Sequence, residues 1–211
     1  MTLHTAKLVS ITPNAEELVA YCARVSNPAN QNNQETAPKL LRYLIKHKHW
    51  SPFEMANMVV EIRTNRSISA QILRHRSFSF QEFSQRYAEV TSFPPAPKLR
   101  RQDTKNRQNS IDDIDLDTQA YWLSEVDDLY EQASFLYQKL LEAGIAKECA
   151  REVLPMGSET TLYMNGTLRS WLHYIDLRAA PETQLEHRMI AEGVRGLIQD
   201  QCPAIYEAMW G

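Results

Sequence analysis

The sequence predicts a single mixed α/β domain over residues 1–211, with strands and long helices packed on one core. Three observations predict it. Short stretches that alternate apolar and polar residues lie between longer stretches that repeat at helical spacing. Of the 211 residues, 43% are hydrophobic, enough for one sizeable core. No internal repeat and no linker divides the chain.

In chain order, Lys7 to Thr12 alternates and reads as an opening strand. Pro13-Asn14 punctuates it, and Ala15 to Val25 reads as a helix with Leu18, Val19 and Cys22 on one face. The Asn/Gln-rich piece from Asn27 to Gln34 is a polar loop. Glu35 to His49 is a second helix, with Leu40, Leu41, Leu44 and Ile45 as its buried stripe. Ser51-Pro52-Phe53-Glu54 reads as an N-cap, a first-turn proline and a short helical turn. Asn57 to Thr64 alternates as a core strand and feeds a helix over 66–74. Three prolines break regular structure between Val90 and Pro97, and the charged run from Lys98 to Asn109 reads as an exposed, solvated excursion. Ile114 to Gly144 is the longest helical pattern, with Gly144 as its C-cap and its aromatics assigned to the core or a subunit interface. A short helix follows over 145–153. Thr160 to Asn165 reads as a strand and Asn165-Gly166 as a turn; Thr167 caps a helix through Ile175, closed by Asp176 to Ala180. Gln184 to Gln201 is the final helix, followed by Cys202-Pro203 and a short tail.

Composition excludes several classes. No apolar run is long enough to span a bilayer, and the stretch Met1 to Lys7 lacks the apolar centre of a signal peptide, so a cytoplasmic location is expected. Cys22, Cys149 and Cys202 are odd in number and scattered, which argues against a disulfide framework or a structural zinc. His47 and His49 lie close together, but no cysteine or acid joins them at a zinc spacing; they read as a basic helix end, and no metal is expected. Only six glycines occur and none form GxGxxG, which disfavours a Rossmann dinucleotide enzyme.

Against this background the fourteen residues from Arg74 to Tyr87 stand out. They hold three arginines, a histidine, a carboxylate and several hydroxyls in a chain of net charge -3. A donor cluster on an acidic protein points to a focused anion site, and guanidinium forks suit phosphate. Gln71 and Arg74, three apart, share a helix face. From Glu82 the pattern reads as extended, with Glu82, Ser84 and Arg86 on one face. Charge alone would also fit a surface ion-pair network, and phosphate contacts would also fit an RNA-binding module. The acidic balance and the absence of aromatic RNA-binding motifs count against RNA, and no nucleic-acid partner is expected.

The order of these residues, Arg74-His75-Arg76, then Glu82, Ser84 and Arg86-Tyr87, resembles the signature RHRxxSxNExSxRY of the flavin-dependent thymidylate synthases, with Gln81 in place of its Asn. Three further stretches are similar to elements of that family: His49 to Glu54, with Met55 where many members have His; Ala150 to Pro155; and Asn165 through His173 to Arg178. The resemblance implies an α/β fold with a twisted, mainly antiparallel sheet and long packed helices. It implies a homotetramer with active sites between subunits. It implies reductive methylation of dUMP to dTMP, with 5,10-methylenetetrahydrofolate as methylene donor and tightly bound FAD, reduced by NADPH, as hydride source.

The resemblance also implies roles for residues. Ser51, Arg74, His75, Arg76, Glu82, Thr167, Leu168, Arg169 and His173 would hold FAD; without the resemblance, His173 reads as a satisfied core histidine. Gln71, Ile72, Leu73, Arg74, Glu82, Phe83, Ser84, Gln85, Arg86, Arg151 and Arg178 would bind dUMP. Arg178 would be catalytic: a cation at the uracil O2/N3 edge favours the N3-deprotonated form and sends electron density to C5. No protein nucleophile is expected. Cys202-Pro203 reverses the order of the Pro-Cys pair in the classical enzymes, and no base pairs with Ser84 in sequence. A catalytically inactive family member acting through a partner is the remaining alternative.

Overall fold

A computed structural model describes residues 3–90, 96 and 98–211. The prolines Pro94, Pro95 and Pro97, expected to break regular structure, lie outside the described residues, as do Met1 and Thr2.

The centre is a four-stranded antiparallel sheet. Its strands are β1 (Thr5–Ile11), β2 (Asn57–Asn65), β3 (Ser79–Glu82) and, after the two-residue strands β4 (Arg101–Gln102) and β5 (Ser110–Ile111), β6 (Glu159–Thr167). The order is β1-β2-β6-β3, and β4 pairs only with β5. Alternation built the two middle strands. On β2, Met58, Val60, Ile62 and Thr64 are fully buried; they stand opposite Gly166, Met164, Leu162 and Thr160 of β6. Cross-strand pairs of this kind define one core face and leave no freedom of register. β1 shifts register between Leu8 and Ser10, a bulge that leaves Val9 exposed.

Among the described residues eight α-helices accompany the sheet: α1 (Ala15–Ala23), α2 (Ala37–Lys46), α3 (Arg66–Ile72), α4 (Leu116–Glu142), α5 (Lys147–Ala150), α6 (Leu168–Arg178), α7 (Leu185–Gln201) and α8 (Pro203–Trp210). Three begin on side-chain caps. Asn65 accepts from Ile68 N at 3.0 Å, Asp115 from Thr118 N at 2.9 Å and Thr167 from Ser170 N at 3.2 Å. Gly144 follows α4 at φ 79°, the left-handed conformation a helix-ending glycine supplies. The main core joins the buried sheet face to α6 and α7, and Trp171 locks it by donating its indole N–H to Met58 O at 2.9 Å.

Several expectations fail for local reasons. The strand expected over 82–87 ends at Glu82, and Gln85 to Tyr87 is a turn in which the Arg86 amide meets Ser84 Oγ at 3.4 Å. Asn165-Gly166 is not a turn. Both residues stay in β6, where a Cβ on Gly166 would lie 2.5 Å from the Phe78 ring; close packing explains the glycine. Ser51 is not an N-cap: it begins a 3₁₀ turn over Ser51–Glu54 and makes no capping bond. The helix expected over 66–74 stops at Ile72, which puts Arg74 in the turn beyond. The short tail after Cys202-Pro203 is α8, because proline at the first position starts a helix. Of the aromatics on α4, Tyr137 is buried, whereas Tyr121, Trp122 and Phe135 are exposed. Among the described residues no helix is long and apolar enough to cross a membrane.

Candidate functional site

The site residues expected from the sequence gather into three groups. The first lies between the end of α3, the turn after it and the facing sides of α6 and α7. Arg178 Nε–H donates to His75 Nε2 at 2.9 Å. A ring nitrogen that accepts from a guanidinium is unprotonated, so His75 is neutral with its proton on Nδ1. Burial and then the Arg178 charge push its pKa down from 6.5 to about 4. His75 also stands edge-on to Tyr174, with ring centroids 5.0 Å apart. Gln71 and Arg178 line one cavity of about 420 Å3 together with Gln108, Glu182, Thr183 and Gln184. That volume lies in the range of small-ligand pockets.

The second group surrounds the start of α6. Arg169 pairs with Glu54, at the end of the 3₁₀ turn that follows Trp50. His173 is exposed and sits edge-on to Trp50 at 4.8 Å between centroids, which corrects its reading as a core histidine. Partial burial, then Arg169, lowers its pKa. Ser51 is exposed beside them, and Ser170 Oγ donates to Ser77 O at 3.2 Å, tying α6 to the Arg74–Ser79 loop.

The third group carries Ser84, Arg86 and Arg151. Arg86 reaches Glu148 on α5 at 3.1 Å, so the turn after β3 and the Arg151 helix end are neighbours. Arg151 lies 3.8 Å from Glu152. Among the described residues no hydrogen bond or ion pair joins this group to the other two.

Other expected residues have different surroundings. Glu82 Oε1 accepts from Ser69 and from Thr160 Oγ1 at 3.1 Å, and pairs with Arg66 at 3.0 Å; it orders that arginine rather than the signature ones. Ile72 and Leu168 are buried in the main core, and Gln85 is nearly buried, whereas Leu73 and Phe83 are exposed. Only the backbone of Ile72 and Leu168 is left to meet a ligand. Arg74 and Arg76 are exposed and have no side-chain partner among the described residues. Unpaired guanidinium groups beside a neutral histidine fit a phosphate-bearing cofactor such as FAD.

Sequence reasoning missed three residues here. His187 is fully buried between Tyr174 and Gln71, at 3.0 and 3.4 Å. It begins the stripe Ile190, Ala191, Val194 and Ile198 on α7, and a polar residue on such a stripe is the signal that could have found it. Arg100, half-buried, and Glu186, buried, form a two-bond pair at 2.8 and 2.9 Å. The run from Lys98 to Asn109 is therefore not merely a solvated loop. It is clasped to α7 by Arg100, and its Gln108 lines the cavity.

The antiparallel α/β fold sets the exposed Arg74 and Arg76 on the loop next to Gln71 and Arg178, which line a ligand-sized cavity, the arrangement expected of an enzyme acting on a small anion. The solved UMP/dUMP methylase PolB from Streptomyces cacaoi, with 5-Br dUMP bound, superimposes with a TM-score of 0.87 at 30% identity, over 99% of this chain and 95% of that one. The model of the family described as "Thymidylate synthase complementing protein" matches residues 7–204, and this chain belongs to that family. A probable flavin-dependent thymidylate synthase of Paramecium bursaria Chlorella virus 1 is 53% identical over 97% of this chain and 98% of its own length. A flavin-dependent thymidylate synthase of Synechocystis is 48% identical over 92% of this chain and 89% of its own.

Proposed function

We propose that this chain is a flavin-dependent thymidylate synthase that methylates dUMP to dTMP, and that residues 1–211 form one such domain. The observation that carries the reading is the Arg178–His75 contact on the wall of the cavity, in a chain 53% and 48% identical to two proteins of that name.

In this reading the uracil ring enters beside Arg178. A guanidinium at its O2/N3 edge stabilises the anion that forms when N3 loses its proton, and C5 becomes the nucleophile. Neutral His75 accepts from Arg178 Nε and leaves its Nη groups free for the base. Gln71, Arg74, Phe83 and the backbone of Ile72 and Leu73 bind the nucleoside; Ser84, Gln85, Arg86 and Arg151 take the phosphate; Glu82 braces the strand that delivers them. Ser51, Arg74, His75, Arg76, Thr167, Leu168, Arg169 and His173 hold FAD. When bound, FAD supplies the hydride that completes the methyl group. The methylene comes from 5,10-methylenetetrahydrofolate and the reducing equivalents from NADPH. The enzyme is a cytoplasmic homotetramer. Its neighbouring subunits bring the three residue groups to one nucleotide, and Tyr121, Trp122 and Phe135 are covered between them.

The test is direct. The purified protein should show flavin absorbance that NADPH bleaches without oxygen, at a rate that dUMP changes, and should form dTMP when methylenetetrahydrofolate is added. A colourless protein that takes up no FAD would refute the reading. Tight binding of bulk RNA at physiological salt would then favour the phosphate-backbone alternative.

A further inference from the structure

Tyr174, His187, Gln71, Gln184 and Glu186 form a continuous run of hydrogen bonds that ends at the cavity wall. Its direction is set at the Glu186 end. Burial pushes that carboxyl up, but the bonds from Arg100, backbone and Gln184 outweigh burial and hold it below its ordinary value. A carboxylate only accepts. The Gln184 Nε2 that lies 3.0 Å from Glu186 Oε2 is therefore a donor, and the Gln184 carbonyl accepts from Gln71 Nε2 at 2.7 Å. Gln71 Oε1 is left facing His187 Nδ1 at 3.4 Å, where it accepts. His187 Nε2 in turn accepts from the Tyr174 hydroxyl at 3.0 Å. Rotating the Gln71 amide would set its N–H against His187 Nδ1–H and its carbonyl against that of Gln184; the cost lies at the buried His187 end, since Gln184 is exposed.

We propose that His187 is a positioning residue for base recognition, holding the Gln71 amide so that it offers one fixed N–H donor to the cavity, matched to the 4-oxygen of uracil and mismatched to the 4-amino group of cytosine. The proposal rests on the reading of that cavity as the dUMP site. At the 4-position uracil presents O4 as an acceptor and cytosine presents its 4-amino group as a donor; a fixed Gln71 N–H meets the first and opposes the second, while O2 and N3 are left to Arg178. An amide free to rotate serves either base, and a pinned amide serves one. His187 is not part of the cavity wall and acts through Gln71. Burial, then the charges of Arg178 and His75, push its pKa down to about 3, so it stays neutral and its donor does not change across the ordinary pH range.

The experiment is calorimetric titration of the flavin-loaded protein with dUMP and with dCMP. The unaltered protein binds dUMP in preference to dCMP. His187→Leu, which removes the donor, should narrow that preference about tenfold while leaving the flavin absorbance intact. His187→Asn, whose Nδ2–H can stand where Nδ1–H stands, should restore most of it. An unchanged ratio in His187→Leu would overturn the proposal, as would an equal loss in the Asn and Leu variants. Should substitution at this buried position prevent folding, Arg100→Met acts on the loop end of the same run. It should narrow the ratio about threefold, and a ratio like that of the unaltered protein would count against the proposal. Unaltered protein that binds no dUMP would instead sink the dUMP reading itself, a failure distinct from unchanged selectivity in the variants.

Discussion

The wall around Gln71 and Arg178 is braced from within the chain, by His75, His187, Tyr174 and the Arg100–Glu186 pair. Arg74 and Arg76 leave the same stretch of sequence exposed and without a side-chain partner among the described residues, and Arg86 meets only a half-exposed carboxylate. The difference matches the two tasks proposed for them. Reading a base and shifting its electrons needs groups held in one orientation, which buried hydrogen bonds provide. Neutralising a phosphate needs charge within reach, and a ligand or a neighbouring subunit can complete its geometry.

Four changes would break or sharpen this contrast. The largest effect is expected from Arg178→Ala. It should lower kcat/KM for dTMP formation by about a thousandfold, with flavin still bound; near-normal turnover would remove Arg178 from the chemistry. Gly166→Ala comes next. Its Cβ would lie 2.5 Å from the Phe78 ring, so thermal unfolding should show a loss of about 1–3 kcal/mol. A melting curve that does not move would mean that the turn carrying His75 and Phe78 yields freely.

Arg86→Ala tests the open side. The KM for dUMP should rise about tenfold while the melting temperature stays put, because an exposed ion pair contributes little to stability. A fall in melting temperature without a change in KM would make Arg86 a structural residue. The fourth test concerns pH. His75 titrates at about 4 and His187 at about 3 in the folded protein, against 6.5 for an ordinary histidine. Between those values the unfolded chain binds protons that the native one refuses, so stability rises with pH. Both contributions are complete above about 6.5 and are lost as pH falls toward 4. His187→Asn should flatten the melting-temperature profile in that window; an equally steep profile would assign the titration elsewhere.

Much of the fold could be read directly. The strand at 57–64 and the helices at 15–25, 35–49, 114–144 and 184–201 sit within a few residues of their observed bounds, because periodicity records a buried face in all of them but the 114–144 helix, where only Gln119 and Tyr137 are buried. The Thr167 cap was equally legible, since a threonine ahead of an apolar helix can satisfy an end amide locally. Residues 82–87 misled because the alternation of Glu82, Ser84 and Arg86 is polar on one side and belongs to a turn, where no buried face enforces it. Gly166 misled because Asn-Gly favours turns, while the Phe78 ring that excludes a side chain there is remote in sequence.

The sequence by itself determined the alternating strands, the amphipathic helices and the density of arginine, histidine and hydroxyl groups between Arg74 and Tyr87. These are properties of near neighbours, and local periodicity and composition carry them. Only the tertiary structure decided that His75 accepts from Arg178, 103 residues away, that His187 stands behind Gln71, 116 residues away, and that Arg100 fastens a polar loop to a buried carboxylate. Those contacts join elements whose mutual approach is set by packing of the sheet against α6 and α7, and no spacing along the chain encodes that approach.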